Sequence, residues 1–110
     1  MKQAQANESF DKFFHRFQTE PGFQKSRIEF PLKVVSIDDD NSSSVKYISG
    51  TQWKYSNVFT RPGRLIKKKV IDATTIEIQL QQQDTGFEMH FLFKSKQNSW
   101  WLYSAKDLSD

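Results

Sequence analysis

From Ile76 to Phe93 the apolar side chains return at every second position, and no other feature constrains the fold of this chain as tightly. Ile76, Ile78 and Leu80 alternate with Glu77, Gln79 and Gln81; Phe87, Met89, Phe91 and Phe93 alternate with Glu88, His90 and Lys94. Successive side chains of a strand point to opposite faces, so each segment reads as a strand with one buried face. The turn-forming segment Gln83-Asp84-Thr85-Gly86 closes them into a hairpin. An even loop pairs Leu80 with Met89, Ile78 with Phe91 and Ile76 with Phe93. A slip of one residue would set these side chains against Gln and Glu, so the pattern itself specifies the register. Lys96 to Ser99 predicts another turn, and Trp100-Trp101-Leu102-Tyr103 a last strand that is apolar on both faces. Its inner set is expected to be Trp100 and Leu102 against Phe93 and Phe91. Trp101 and Tyr103 then fall on the outer face beside Leu92 and His90.

Near the start, Phe10, Phe13, Phe14 and Phe17 fall at i, i+3, i+4 and i+7, which places them on one stripe of a helix over residues 7–18. Asn7 or Ser9 can supply the capping oxygen, Asp11 suits the positive end of the helix dipole, and Pro21-Gly22 is expected to stop the helix. Phe23 to Arg27 reads as a short second turn. Ile28, Phe30 and Leu32 then alternate with Arg27, Glu29 and Lys33 in strand fashion. Pro31 cannot donate to a ladder, so this strand is expected at a sheet edge or bent at the proline. Asp38 to Ser44 is a solvated loop that lacks the Gly and closing Glu of a calcium-binding loop. Val45 to Ser49 reads as a short strand. Residues 50–62, with Trp53, Tyr55, Val58 and Phe59, leave helix and strand open. Arg61-Pro62-Gly63 is a turn, followed by the basic run Arg64, Lys67, Lys68 and Lys69 leading into Val70 and Ile71.

With 110 residues the chain has the length of one domain; residues 1–7 read as a polar tail and 8–108 as a single α+β domain. The 10 Phe residues dominate its core. A mean hydropathy of −0.71, and no run near the roughly 18 apolar residues a spanning helix needs, argue against a transmembrane segment. The segment Met1 to Ser9 also lacks the apolar stretch of a secretory signal. Absence of Cys excludes disulfides, thiolate metal sites and Cys nucleophiles, and 2 His residues are a poor metal inventory. Neither metal nor cofactor is expected. A net charge of +3 is a mild bias. Arg61, Arg64 and Lys67–Lys69, with Trp53 and Tyr55 nearby, could grip phosphate and stack bases. No nucleic-acid motif accompanies them, however, and Asp38–Asp40 offset the field. A strand edge guarded by lysines is the simpler reading, so nucleic acid is not an expected partner.

A Phe-rich helix first and long antiparallel strands last, ending in Trp100-Trp101-Leu102-Tyr103, resembles the nuclear transport factor 2-like (cystatin-like) fold. The run Phe23-Gln24-Lys25-Ser26-Arg27-Ile28-Glu29-Phe30-Pro31-Leu32, preceded by Phe10, Phe13 and Phe14, resembles a domain-of-unknown-function family of exported Bacteroidetes proteins, often lipoproteins. The resemblance implies an N-terminal amphipathic helix packed on a strongly bent antiparallel sheet, a cone. It also implies dimerisation and a mature form in the periplasm or at the cell surface. It implies no reaction, because the fold hosts enzymes and binding proteins alike. A lipid anchor requires a Cys near the start and this chain has none. The exported reading therefore holds only if Met1 is not the native start; a native Met1 would mean the cytoplasm.

Glu77, Glu88 and His90 alternate out of phase with the apolar face, and His15 lies on the polar side of the helix. All four read as solvated side chains, so no catalytic residue is assigned. Arg27 reads as paired internally, with Glu29, Asp11 or a loop carboxylate, in preference to holding a ligand. The sharper candidate is the outer sheet face formed by Trp101, Tyr103, His90, Leu92 and Gln79, where exposed aromatics would be costly to leave wet. A second copy of the chain is the expected cover, with a protein, glycan or small-molecule ligand as alternatives. The function expected is a non-catalytic exported binding or dimerisation module. The alternative is a small-molecule binder or enzyme of the nuclear transport factor 2-like type. It would use a cone pocket lined by Phe14, Phe17, Phe30, Tyr47, Trp53 and Met89, with Tyr47 or Tyr55 as polar handle.

Overall fold

The computed structural model describes residues 8–38 and 40–109. The tail 1–7, and with it Asn7 as a capping residue, lies outside them. Ser9 caps the first helix, α1 (Phe10–Thr19), its hydroxyl accepting from the Lys12 N–H at 3.4 Å. Phe10, Phe13 and Phe17 of the apolar stripe are buried and Phe14 is half-buried. α1 ends at Thr19, as expected ahead of Pro21-Gly22, and Glu20 after it is extended. Pro21 opens a second helix, α2 (Pro21–Ser26), from the first position, where its missing N–H has no intrahelical partner to lose.

Gln24 of α2 is wholly buried, and its amide joins both helices to the loop that carries Trp53 and Ser56. Its Nε2 donates to the carbonyls of Phe17 and Ser56, each at 3.0 Å. Its Oε1 accepts from Trp53 Nε1 at 3.2 Å and from the Ser56 N–H at 2.9 Å. Four hydrogen bonds fill the capacity of one primary amide, which is how so polar a group is tolerated in the core.

Six strands follow: β1 (Ile28–Ile37), β2 (Ser43–Ile48), β3 (Arg64–Asp72), β4 (Thr75–Gln82), β5 (Glu88–Lys96) and β6 (Ser99–Asp107). Their order across the sheet is β2-β1-β6-β5-β4-β3. The expected hairpin register is observed, with Leu80 opposite Met89, Ile78 opposite Phe91 and Ile76 opposite Phe93. The sheet is mixed, however, and not wholly antiparallel, because β1 leaves α2 to run parallel to β6. β1 is therefore no edge strand. Pro31 is accommodated by a bend: pairing with β2 begins only at Leu32, and pairing with β6 is broken between Ile28 and Lys33.

The inner register of β6 also departs from expectation. Trp100 and Leu102 are both buried as the inner set, but their partners are shifted: Leu102 lies opposite Phe93 instead of Phe91, Trp100 opposite Ser95, and Phe91 opposite Ala105. Leu102 and Ala105 are both buried although they are three residues apart, which strict alternation forbids. A bulge that leaves Tyr103 unpaired resolves the conflict and turns that ring outward.

The helices cover one face of the sheet. Phe93, fully buried, meets Phe10, Phe13, Phe14 and Phe17 edge-on, with centroids 5.4 to 5.8 Å away. Phe59 closes the end of this core from the loop between β2 and β3, 4.8 Å from Phe91 and 5.1 Å from Phe14. That loop forms turns, neither helix nor strand. At the far edge, β3 exposes Lys67, Lys68 and Lys69, and Lys68 reaches Asp11 at 3.0 Å. No helix among the described residues is long and apolar enough to cross a membrane.

Candidate functional site

The face turned away from the helices is read along two rungs of the ladder. One runs Tyr47, Lys33, Ser104, Leu92, Glu77; the next runs Val45, Val35, Lys106, His90, Gln79. Two irregularities meet beside them. Between the pairs Ile28–Leu102 and Lys33–Ser104, β1 contributes Glu29, Phe30, Pro31 and Leu32 where β6 contributes Tyr103 alone. Glu29, Phe30 and Pro31 of this excess chain, together with Tyr103, line a recess of about 560 Å³. Its volume lies in the range of small-molecule sites.

Of the five outer-face residues singled out from the sequence, Tyr103, His90 and Leu92 line this recess and Trp101 and Gln79 do not. Trp101 lies opposite Lys94, half-buried, flanked by the Lys96 ammonium at 5.4 Å and the Arg27 guanidinium at 5.9 Å. Its indole N–H is buried and has no acceptor among the described residues. Gln79, on β4 opposite His90, donates to Glu77 at 2.9 Å.

His90, Glu77 and Glu88 are not the solvated side chains the alternation suggested. The His90 side chain is only 19% exposed, with Nε2 2.7 Å from Glu88 and Nδ1 3.8 Å from Glu77. Outward direction on a strand implied exposure, but curvature and long neighbours cover these groups. Among the described residues no group of His, Cys, Asp and Glu could hold a metal ion.

The six residues proposed for a cone pocket are not brought together. Phe17 is core, and Phe14 packs on Phe59 and Phe93. Trp53 and Met89 line a second cavity of about 330 Å³ on the helix side of the sheet, with Leu32, Val34 and Val58. Phe30 and Tyr47 line the outer recess. The Tyr55 hydroxyl is committed to the Gln18 carbonyl at 2.5 Å. Lys46, Lys54 and Asp107 also line the second cavity.

Arg27 is paired internally, but its carboxylate is Glu8, at 2.6 Å, and it also donates to the Trp100 carbonyl at 3.2 Å. Glu8 further accepts from the Trp100 N–H at 2.9 Å. Burial pushes the Glu8 carboxyl up, yet the Arg27 and Trp100 hydrogen bonds outweigh it and hold the group below the usual glutamate range. Glu8, close to the polar tail, carried no periodicity that would have announced it.

A short helical cap on one face of a curved mixed sheet defines a nuclear transport factor 2-like domain. The chain is similar to a nuclear transport factor 2-like protein from Bacteroides fragilis, with TM-score 0.72, 27% identity, and 94% of this chain covering 48% of that one. It is also similar to a cystatin-like protein from Bacteroides caccae, with TM-score 0.65, 17% identity, and 96% of this chain covering 79% of that one. A nuclear transport factor 2-like protein of unknown function from Shewanella baltica aligns with TM-score 0.55 at 14% identity, 94% of this chain covering 98% of that one. Residues 1–66 match the family described as Domain of unknown function (DUF4348), and the chain belongs to that family. It spans about half of the B. fragilis protein (48%). No curated protein matches it.

Proposed function

We propose that this domain is a non-catalytic binding module acting outside the cytoplasm, and that its site is the outer recess. The observation that carries the reading is the recess itself: about 560 Å³ beside Tyr47 and Tyr103, rings left 59% and 48% exposed. Aromatic walls with a few fixed polar groups are the ordinary composition of a ligand site. A twofold dimer through the same face is the second reading, in which a part of one copy would fill the recess of the other. The extracytoplasmic placement rests on the resemblance of Phe23–Leu32 to exported proteins, and fractionation of the full-length protein in its native cell tests it.

The site is tested by following backbone amides in a small-molecule screen. Ligands are expected to move Tyr47, His90 and Ser104, and to lose affinity in Tyr103→Ala. Ligands that move only Met89 and Trp53 would transfer the site to the second cavity, on the helix side of the sheet. Shifts on the outer face that depend on protein concentration alone would establish the dimer in its place.

A further inference from the structure

The outer recess, taken as the binding site proposed above, is lined by two ammonium groups that make no ion pair among the described residues. Each carboxylate beside it already holds a protein donor. Glu29 pairs with Lys96, Glu77 accepts from Gln79 at 2.9 Å, and Glu88 lies 2.7 Å from His90. The two ammonium groups on its lining, Lys33 and Lys106, have neither a carboxylate nor a hydrogen-bond partner among the described residues. The ladder fixes where they stand. Lys33 is opposite Ser104 and Lys106 opposite Val35 on parallel strands, so the two are diagonal neighbours on one face.

Like charges so placed repel, and an anion between them relieves the repulsion of both at once. Rings border the same diagonal: Tyr47 of β2 is the direct partner of Lys33, and Tyr103 precedes Ser104 at the bulge. The volume exceeds what a bare ion needs, and the tyrosines offer rigid flat surface at low entropic cost. We infer that the recess takes a small organic anion in which a carboxylate or phosphate is joined to a ring. Lys33 and Lys106 hold the acid, and Tyr47 and Tyr103 hold the ring.

The test is an amide-resolved titration of the full chain with four probes: phenyl phosphate, benzoate, benzyl alcohol and inorganic phosphate. Phenyl phosphate or benzoate is expected to move Lys33, Tyr47, Ser104 and Lys106, and to bind about tenfold more weakly when the salt is raised well above physiological strength. Benzyl alcohol and inorganic phosphate, each lacking half of the recognised group, are expected to bind about tenfold more weakly than the ring-bearing acids. Lys33→Gln with Lys106→Gln removes the preference for the acids. Both lysines are exposed, so the fold survives, and an unchanged pattern of core amides verifies it. Benzyl alcohol binding in the recess as tightly as benzoate overturns the anion while sparing the binding reading. Recess amides left unmoved by every probe at millimolar concentration overturn the anion. Should those amides respond only to protein concentration, the binding reading falls with it.

Discussion

The two faces of one sheet obey different rules here. Toward the helices, Phe93 is enclosed by four Phe rings of α1, and neighbouring strands alternate without exception from Ile76 to Phe93. Away from them, breaks in the ladder at Pro31 and at Tyr103 lie beside a recess lined by polar and aromatic groups. On the dry face the bulge at Tyr103 is absorbed without loss of burial, since Leu102 and Ala105 on either side of it both stay in the core. On the outer face the same bulge turns the Tyr103 ring out beside the recess. Stability should therefore concentrate on one side and recognition on the other, and substitutions can break that division.

The largest loss is expected at the centre of the dry face. Phe93→Ala removes the ring that α1 packs on and should cost about 3–5 kcal/mol in chemical denaturation. Gln24→Leu comes next. It keeps the volume but strands the Phe17 and Ser56 carbonyls and the Ser56 and Trp53 donors, with an expected loss of about 2–3 kcal/mol. Gln24→Glu should be no better, because a carboxylate cannot donate to the two carbonyls.

These two positions also show what sequence patterning can reveal. Phe93 was legible because two-residue periodicity and an even hairpin loop are local properties. Gln24 was not: its partners Ser56 and Trp53 lie in a loop with no regular structure, and a lone Gln on a short helix looks like surface. The parallel pairing of β1 with β6 joins residues 28–37 to 99–107, too far apart for any local pattern to encode. The Tyr103 bulge had a faint signal. Trp100, Leu102 and Ala105 cannot all face inward on a regular strand, and burial of Ala105 was the missing fact. So the strands of the outer face could be read, but its recess, made where two of them depart from regularity, could not.

The Glu8–Arg27 pair ties the segment before α1 to β6 and gives a pH-dependent check. Arg27→Met should cost about 1–2 kcal/mol. The folded Glu8 carboxyl lies below its unfolded value, so the folded state binds its proton less readily. Its contribution is complete above the unfolded glutamate value of about 4.3 and is lost as pH falls below that through the folded value. Denaturation across this window should show a steeper loss in wild type than in Arg27→Met. Equal slopes would mean the pair does not couple to folding.

The smallest effect on stability is expected at Tyr103, where the two faces are most sharply contrasted. Its ring is 48% exposed and unpaired at the bulge, and its clearest contact is the Lys94 ammonium 4.0 Å from the centroid. An exposed cation–π contact contributes about 0.5–1 kcal/mol, so Tyr103→Ala should shift the denaturation midpoint by no more than that. Binding in the recess should nevertheless be lost, since the ring forms one of its walls. A loss of stability comparable to that of Phe93→Ala would mean that Tyr103 is buried by something in solution, and the division between a folding face and a recognising face would then be wrong.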